Sequence, residues 1–154
     1  MQKTPLTGSA AGSMARVVLD ANVLISAAFG GVPRRAVRKA FGHEVFVSPD
    51  IREELLGLSE ELSAKLSPDQ ISRFRRLMKV LLLKSASVTP NRDVGLCRDS
   101  TDNAYLSLCL AAAADYLITG DLDLLSIRKE CLAEAGLSHL TITTPRKFLS
   151  SRMT

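Results

Sequence analysis

The fold of this chain is decided by the stretch Arg16-Val17-Val18-Leu19-Asp20-Ala21-Asn22-Val23-Leu24-Ile25. Its apolar, β-branched run at 17–19 predicts a short strand that is covered on both faces of a sheet. Asp20 ends that strand, and an apolar helix is predicted from residue 23 to residue 29, with Asn22 as its cap. Ligands of parallel α/β sheets bind at the carboxyl ends of strands, so Asp20 is a candidate site residue. Asp20 can equally serve only as a helix-capping aspartate.

The composition favours one α/β domain. The chain has 154 residues, of which 46% are hydrophobic and only 5% aromatic. Leu, Val and Ala supply most of the apolar content, as in helices packed on a sheet, which favours α/β over a β-sandwich. Residues 1–14 are polar and rich in Gly, Ser and Ala, so we expect a disordered tail there and a domain over residues 15–154. The formal net charge of +4 mildly favours an anionic partner such as nucleic acid.

The cysteines and histidines do not form a recognisable metal-ligand pattern. Cys97, Cys109 and Cys131 lack CxxC and Cys/His spacing and are expected to be reduced thiols. His43 and His139 are isolated, and we expect both to be structural or surface residues. No apolar segment is long enough for a secretory leader or a membrane span, so the sequence predicts a cytoplasmic protein.

The rest of the chain alternates short apolar runs with helical patterns, as expected of strand-helix-strand units around a parallel sheet. Further strands are predicted at 44–48, 85–88, 116–119 and 140–142, of which the poorly hydrophobic 85–88 is typical of a sheet edge. Helices are predicted at 34–41 after a break at Gly30-Gly31-Val32-Pro33, after Ser48 and Ser67, from 98 to 114, at 127–135 up to Gly136, and at 145–149.

Acidic residues stand at the predicted exits of two buried strands. Asp20 follows the first strand, and Asp121 and Asp123 follow the strand at 116–119 after a tight turn at Gly120. Because parallel strands end at the same edge of a sheet, we expect these carboxylates to approach one another there.

Two predicted helices bring further acids toward the same edge. Asp102 lies in the first turn of the helix near Asp99, and Glu54 precedes Leu55 of a buried helical stripe, so we expect Glu54 to lean inward. Each acid has an ordinary alternative. Asp99 and Asp102 can serve only to stabilise a helix N-terminus, and Glu54 can be a solvent-facing partner of Arg52.

Several carboxylates at one edge repel one another unless a cation neutralises them. Oxygen ligands suit Mg²⁺ or Mn²⁺, and the lack of a His/Cys cluster argues against zinc. Such a site fits hydrolysis of a phosphodiester, because the ion lowers the pKa of a bound water and aims it at phosphorus.

Two predicted helices carry basic faces that can contact the phosphates of a nucleic acid. For both, a solvated helix face is the alternative. The first face consists of Arg34, Arg35, Arg38 and Lys39, and the second of Arg73, Arg75, Arg76 and Lys79.

At these residues the sequence resembles the PIN-domain family, in particular the toxin components of toxin–antitoxin pairs. The resemblance spans residues 15–149, and the order and spacing of its motifs are more specific than any one of them. The matching motifs are Val18-Leu19-Asp20-Ala21-Asn22-Val23-Leu24, Ser48-Pro49 through Glu54-Leu55, Arg98-Asp99-Ser100-Thr101-Asp102-Asn103, Thr119-Gly120-Asp121-Leu122-Asp123-Leu124-Leu125 and Ile142-Thr143-Thr144-Pro145-Arg146-Lys147-Phe148-Leu149.

The resemblance implies a single three-layer domain, with a five-stranded parallel sheet and helices on both faces. It also implies cleavage of single-stranded RNA, dependent on Mg²⁺ or Mn²⁺, that leaves a 5′-phosphate and a 3′-hydroxyl. Family members commonly form homodimers, and toxin members are inhibited by an antitoxin. The implied catalytic residues are Asp20, Glu54, Asp102 and Asp121, the metal ligands Asp20, Asp102, Asp121 and Asp123, and the supporting residues Asn22, Asp99 and Thr119.

One departure from the family concerns the position after Asp102. Asn103 stands where many relatives carry an acid, so the resemblance carries no ligand role onto it. Arg34, Arg35 and Arg38 are the candidate RNA contacts.

Two other functions remain open from the sequence. The first is a non-catalytic PIN-like module that binds RNA or a protein. The second is a phosphotransfer or phosphatase domain built on Asp20, which is disfavoured because no Lys follows a late strand. A nucleotide-cofactor enzyme is unsupported, since no Gly-rich fingerprint follows a strand.

Overall fold

Five short strands form one all-parallel sheet in the computed structural model, which describes residues 14–151. The strands are β1 (Arg16–Leu19), β2 (Glu44–Val47), β3 (Ala86–Ser87), β4 (Tyr116–Ile118) and β5 (Thr141–Thr143). Their order across the sheet is β3-β2-β1-β4-β5, and every pair is parallel. The expected α/β fold with a five-stranded parallel sheet is confirmed. The tail predicted at 1–14 lies, apart from Met14, outside the described residues.

Helices make the crossovers between the parallel strands. No helix among the described residues is both long and apolar enough to cross a membrane. The helices are α1 (Ala21–Ala27), α2 (Gly31–Ala40), α3 (Pro49–Leu62), α4 (Pro68–Lys84), α5 (Ser100–Ala112), α6 (Leu122–Leu125), α7 (Lys129–Glu134) and α8 (Pro145–Ser150).

The helix starts follow the Ser-Pro signals of the sequence. The Ser48 hydroxyl accepts a hydrogen bond from the Ile51 N–H at 3.1 Å and caps α3. Ser67 and Gln70 form a reciprocal capping box at the start of α4. In both helices Pro occupies the first turn, where a missing N–H costs no intrahelical bond.

Several predicted boundaries were wrong. α2 begins at Gly31 and not at 34, because Gly30 makes the break with a φ of +89° and Pro33 is tolerated in the first turn. Asp20, and not Asn22, caps α1, because the extended strand ends at Asp20 and the helix begins with the next residue. β3 has only two paired residues of the four predicted. The helix predicted at 127–135 is confined to α7, because Arg128 is extended.

The core lies on both sides of β1, the middle strand. Val17, Val18 and Leu19 are buried, as predicted for a strand that is covered on both faces. α5 carries buried residues on most of its circumference, as its apolar sequence predicted. Phe74 and Met78 of α4 belong to the same core. Because β1 is central, the residue that follows it emerges in the middle of the carboxyl edge.

Candidate functional site

Sheet pairing brings the two strand-end acids to one place. β1 pairs with β4 in a register that aligns Leu19 with Ile118, so both strands end side by side. The Asp20 N–H continues this pairing with a 3.0 Å hydrogen bond to the Ile118 carbonyl. Asp20 and Asp121 therefore emerge at neighbouring points of the carboxyl edge, as expected from the sequence.

The Asp20 carboxylate is buried and held in position on both oxygens. Its Oδ2 accepts a 2.6 Å hydrogen bond from the Thr119 hydroxyl, and its Oδ1 accepts one from the Asn22 N–H at 3.2 Å. The side chain of Asp20 is only 5% exposed. Its two sequence-based readings, helix cap and site residue, are therefore compatible. Asn22 contributes its backbone N–H to this arrangement and is itself exposed.

Thr119 connects Asp20 and Asp121 through its hydroxyl group. Its side chain is completely buried, and the same hydroxyl oxygen that donates to Asp20 accepts a 3.0 Å hydrogen bond from the Asp121 N–H. Asp121 in turn caps α6, because its Oδ1 accepts the Asp123 N–H at 2.8 Å. One threonine thus holds in place both acids that follow the strands, Asp20 after β1 and Asp121 after β4.

Three carboxylates meet beside this pair of strand ends. Asp102, Asp121 and Asp123 each place one oxygen within 4.8 Å of the other two. Asp102 is buried, Asp121 is half-buried and Asp123 is exposed, so the group opens toward solvent on one side. Three carboxylate oxygens on a side that faces solvent match the ligands of Mg²⁺ and Mn²⁺. Of the four predicted metal ligands, Asp20 lies next to this group but is not a member of it.

Burial and nearby charges raise the pKa of two carboxylates of the site, those of Asp102 and Asp20. Burial, and after it the charges of Asp121 and Asp99, raises the pKa of Asp102 to about 6. Burial also raises the pKa of Asp20, and the charge of Asp121 adds to this rise, whereas the hydrogen bonds from Thr119 and Asn22 oppose it. No salt bridge relieves this charge, since the one salt bridge among residues 14–151 joins Arg16 to Glu44. A divalent cation would relieve it.

Glu54 lies at the rim of the site. The expectation that it leans into the protein was wrong, because it is exposed on α3, one position away from the buried Leu55. Partial desolvation nevertheless raises its pKa, as do the charges of Asp20 and Asp99. The alternative pairing with Arg52 is also not seen among the described salt bridges.

Asp99 caps α5, because its Oδ1 accepts the Thr101 N–H at 2.8 Å. This is the ordinary role that the sequence left open for it. Its charge still reaches the site, since it raises the pKa of both Asp102 and Glu54.

Sequence reasoning missed Tyr105. Its buried hydroxyl accepts a 3.0 Å hydrogen bond from the Ala21 N–H and so fixes the first turn of α1 beside Asp20. Burial, with the charge of Asp20, raises the pKa of this hydroxyl, which stays neutral. A signal was present, because residues three apart on a helix share a face and Tyr105 follows Asp102 at that spacing.

Asn103 has a structural role in the loop before α5. Its Nδ2 donates to the Cys97 carbonyl and its Oδ1 accepts the Cys97 N–H, both at 2.8 Å. The amide therefore fastens the loop before α5 beside the acids. Burial and the nearby charges of Asp102 and Asp121 raise the pKa of the Cys97 thiol.

The predicted basic faces lie on α2 and α4, neither of which carries an acid of the three-carboxylate group. Arg34 is half-buried, while Arg35 and Arg38 are exposed. Two members of the predicted faces have structural partners. Lys39 donates to the Phe148 carbonyl at 2.8 Å, and Arg75 donates to the Ser59 hydroxyl at 3.2 Å.

The comparisons with known proteins agree with this geometry. The sequence pattern of the PIN domain matches residues 16–123, a range that begins with β1 and ends with the last acid of the three-carboxylate group. The chain is also 30% identical over 141 residues to an uncharacterized protein of Methanocaldococcus jannaschii. That match covers 87% of this chain and 89% of the relative.

Proposed function

The chain belongs to the PIN domain family, whose members are generally nucleases, and we propose that it is a metal-dependent endoribonuclease that hydrolyses single-stranded RNA. The observation that carries this proposal is the group of three carboxylates, Asp102, Asp121 and Asp123, within 4.8 Å of one another at the carboxyl edge of the sheet. The site is open to solvent on the side of Asp123, as a polymeric substrate requires.

These three residues would hold a Mg²⁺ or Mn²⁺ ion. When bound, such an ion would lower the pKa of a water molecule and stabilise charge on the phosphoryl oxygens. Asp20, the fourth acid proposed for the site, is positioned for this through Thr119, which also positions Asp121. The ordered carboxylates reduce the reorganisation that catalysis would otherwise require.

Glu54 is the proposed proton acceptor. It is exposed at the rim, and its pKa is raised by desolvation and by its acidic neighbours, so it binds a proton more readily than a free glutamate. A carboxylate with a raised pKa is a better general base than an ordinary one. In this proposal Glu54 takes a proton from the attacking water, and the leaving 3′-oxygen is protonated from solvent.

We further propose that the chain is the toxin of a toxin–antitoxin pair, active as a cytoplasmic homodimer. This rests on the motif resemblance that runs from residue 15 to residue 149. Induced expression is expected to arrest growth, and co-expression of a small protein encoded beside the gene is expected to restore it. Growth arrest that persists in an Asp121→Asn variant would contradict this proposal.

The decisive experiment is RNA cleavage by the purified chain. A fluorescent single-stranded RNA is incubated with Mg²⁺, with Mn²⁺ or with EDTA, and the product ends are mapped. We expect metal-dependent products with a 5′-phosphate and a 3′-hydroxyl, and a loss of at least about a hundredfold in Asp121→Asn. Asp69→Asn, an exposed aspartate of α4, is the matched control and should cleave normally. RNA binding without metal-dependent turnover would instead indicate the non-catalytic module.

A further inference from the structure

Four arginines from two helices share one cleft. Arg34 and Arg38 of α2 face Arg73 and Arg76 of α4 across a cavity of about 200 Å³. Phe41 and Leu77 supply apolar surface to the same cavity. We call this the arginine cleft. Of the three arginines expected to contact RNA, Arg35 does not line it, whereas two arginines from the second basic face do.

The positive charge of the arginine cleft is not neutralised within the described chain. None of its four arginines has a carboxylate within 4.0 Å, since the one salt bridge of residues 14–151 joins Arg16 to Glu44. No acidic residue lines the cavity. Like charges gathered in one concave surface repel one another and concentrate the field there, so an anion that enters the cleft is attracted.

The chemistry of the cleft favours a phosphodiester chain over other anions. A guanidinium presents a planar fork of donors that matches the oxygens of a phosphate. The half-buried Phe41 adds an aromatic ring on which a base can stack, and single-strand binding sites combine these two features. We propose that the arginine cleft binds the backbone of single-stranded RNA as a second contact outside the acid site. The ligand identity rests on the proposed nuclease function.

The arginine cleft and the three-carboxylate group share no residue, so RNA that occupies both must be longer than RNA that occupies one. α4 ends at Lys84, whose ammonium group donates to the Phe41 carbonyl at 3.2 Å near the start of β2. Phe41 therefore marks the end of the cleft nearest the amino edge of the sheet. The proposal requires that RNA that fills only the acid site does not reach the arginines.

The test is RNA binding in Mg²⁺ with every variant built on Glu54→Gln, because this change removes the proposed proton acceptor but keeps the carboxylates that would hold the ion, so turnover is slow. Fluorescence anisotropy is measured with a single-stranded RNA of about 16 nucleotides and with one of about 4 nucleotides. Arg73→Gln/Arg76→Gln should weaken binding of the longer RNA about tenfold and reduce its salt dependence, with little effect on the shorter RNA. Arg128→Gln/Lys129→Gln, at the start of α7, is the matched control of equal charge change and should bind both RNAs as the parent chain does.

Further variants and measurements test which molecule binds in the arginine cleft. Arg73→Lys/Arg76→Lys should recover part of the affinity, because charge is kept while the fork is lost. Thermal unfolding monitors the fold of each variant. Equal loss for both RNA lengths, unchanged affinity, or displacement of the RNA by micromolar inorganic phosphate would overturn the proposal. So would unchanged RNA affinity with an altered oligomeric state, which would assign the cleft to contact with a second copy. The binding and cleavage tests can fail separately. If the chain binds RNA through the arginine cleft but does not cleave it, the nuclease proposal fails while the cleft proposal stands.

Discussion

The Thr119 hydroxyl donates a 2.6 Å hydrogen bond to the Asp20 carboxylate across 99 residues of sequence. The bond joins the exits of β1 and β4, and both partners are buried. Because the same hydroxyl oxygen accepts the Asp121 N–H, one side chain sets the separation of two acids of the site. The position of the candidate site therefore depends on a residue that is not itself an acid.

Thr119→Val should reduce RNA cleavage by about tenfold or more while the fold is retained, because Val keeps the shape but loses both hydrogen bonds. Thr119→Ser should stay close to the parent enzyme. The measurement is kcat/KM on a defined RNA in Mg²⁺, with circular dichroism as a check on the fold. Thr141→Val, at an exposed position of β5, is the control. A fully active Thr119→Val would show that Asp20 does not need this hydroxyl.

The metal-free protein should lose stability as pH rises from about 4 to about 6 through Asp102. The pKa of Asp102 is about 6 in the folded chain against 3.8 for an ordinary aspartate. The folded state therefore holds the proton more tightly than the unfolded state, so this contribution is fully present below about 4 and lost above about 6. In EDTA, Asp102→Asn and the parent should have similar Tm values at low pH, and the variant should have the higher Tm at pH 7.

Addition of Mg²⁺ should raise the Tm of the parent at pH 7 and have little effect on Asp102→Asn, because a ligand that binds only the folded state stabilises it. Asp69→Asn serves as the control at both pH values, because Asp69 is an exposed aspartate of α4 outside the three-carboxylate group. If the Tm values of the parent and of Asp102→Asn change with pH in parallel, the pKa of Asp102 is not raised in the folded protein.

Tyr105→Phe should destabilise the protein by about 1 to 3 kcal/mol, because the buried Ala21 N–H loses its acceptor. Urea unfolding measures the change. Tyr116→Phe is a matched control, because Tyr116 packs edge-to-face on Phe148 at 5.4 Å through its ring. RNA cleavage should also fall in Tyr105→Phe, since the first turn of α1 holds Asp20. If both tyrosine variants unfold at the same urea concentration as the parent, the Tyr105 hydroxyl has no such role.

Asn103→Asp, which adds a carboxylate beside Asp102, should not increase cleavage. The change removes the Nδ2 donor to the Cys97 carbonyl and adds a charge next to Asp102, so a loss of about 1 to 3 kcal/mol in stability is expected. Asn91→Asp, at an exposed loop position, controls for the added charge. Higher activity with unchanged stability would instead make position 103 a usable ligand.

Local patterns were sufficient for most of the fold and for the acids at the strand ends. The apolar, β-branched run at 17–19 predicted a covered strand, and the Ser-Pro pairs predicted the starts of α3 and α4, because caps and first-turn prolines act within a few residues. Glu54 shows the limit of such reasoning. Its place next to Leu55 predicted an inward side chain, but one residue of offset on a helix turns a side chain by about 100° and leaves it at the rim.

The sequence by itself determined the α/β class, the acids at the ends of two strands and the presence of oxygen ligands that suit a divalent ion, because periodicity, capping and strand-end carboxylates are properties of neighbouring residues. Only the tertiary structure decided which carboxylates share a group, that Thr119, Tyr105 and Asn103 hold them in place, and that arginines of α2 and α4 meet in one cleft. These features depend on hydrogen bonds and packing between residues far apart in the chain, and such contacts leave no periodic trace in a single sequence.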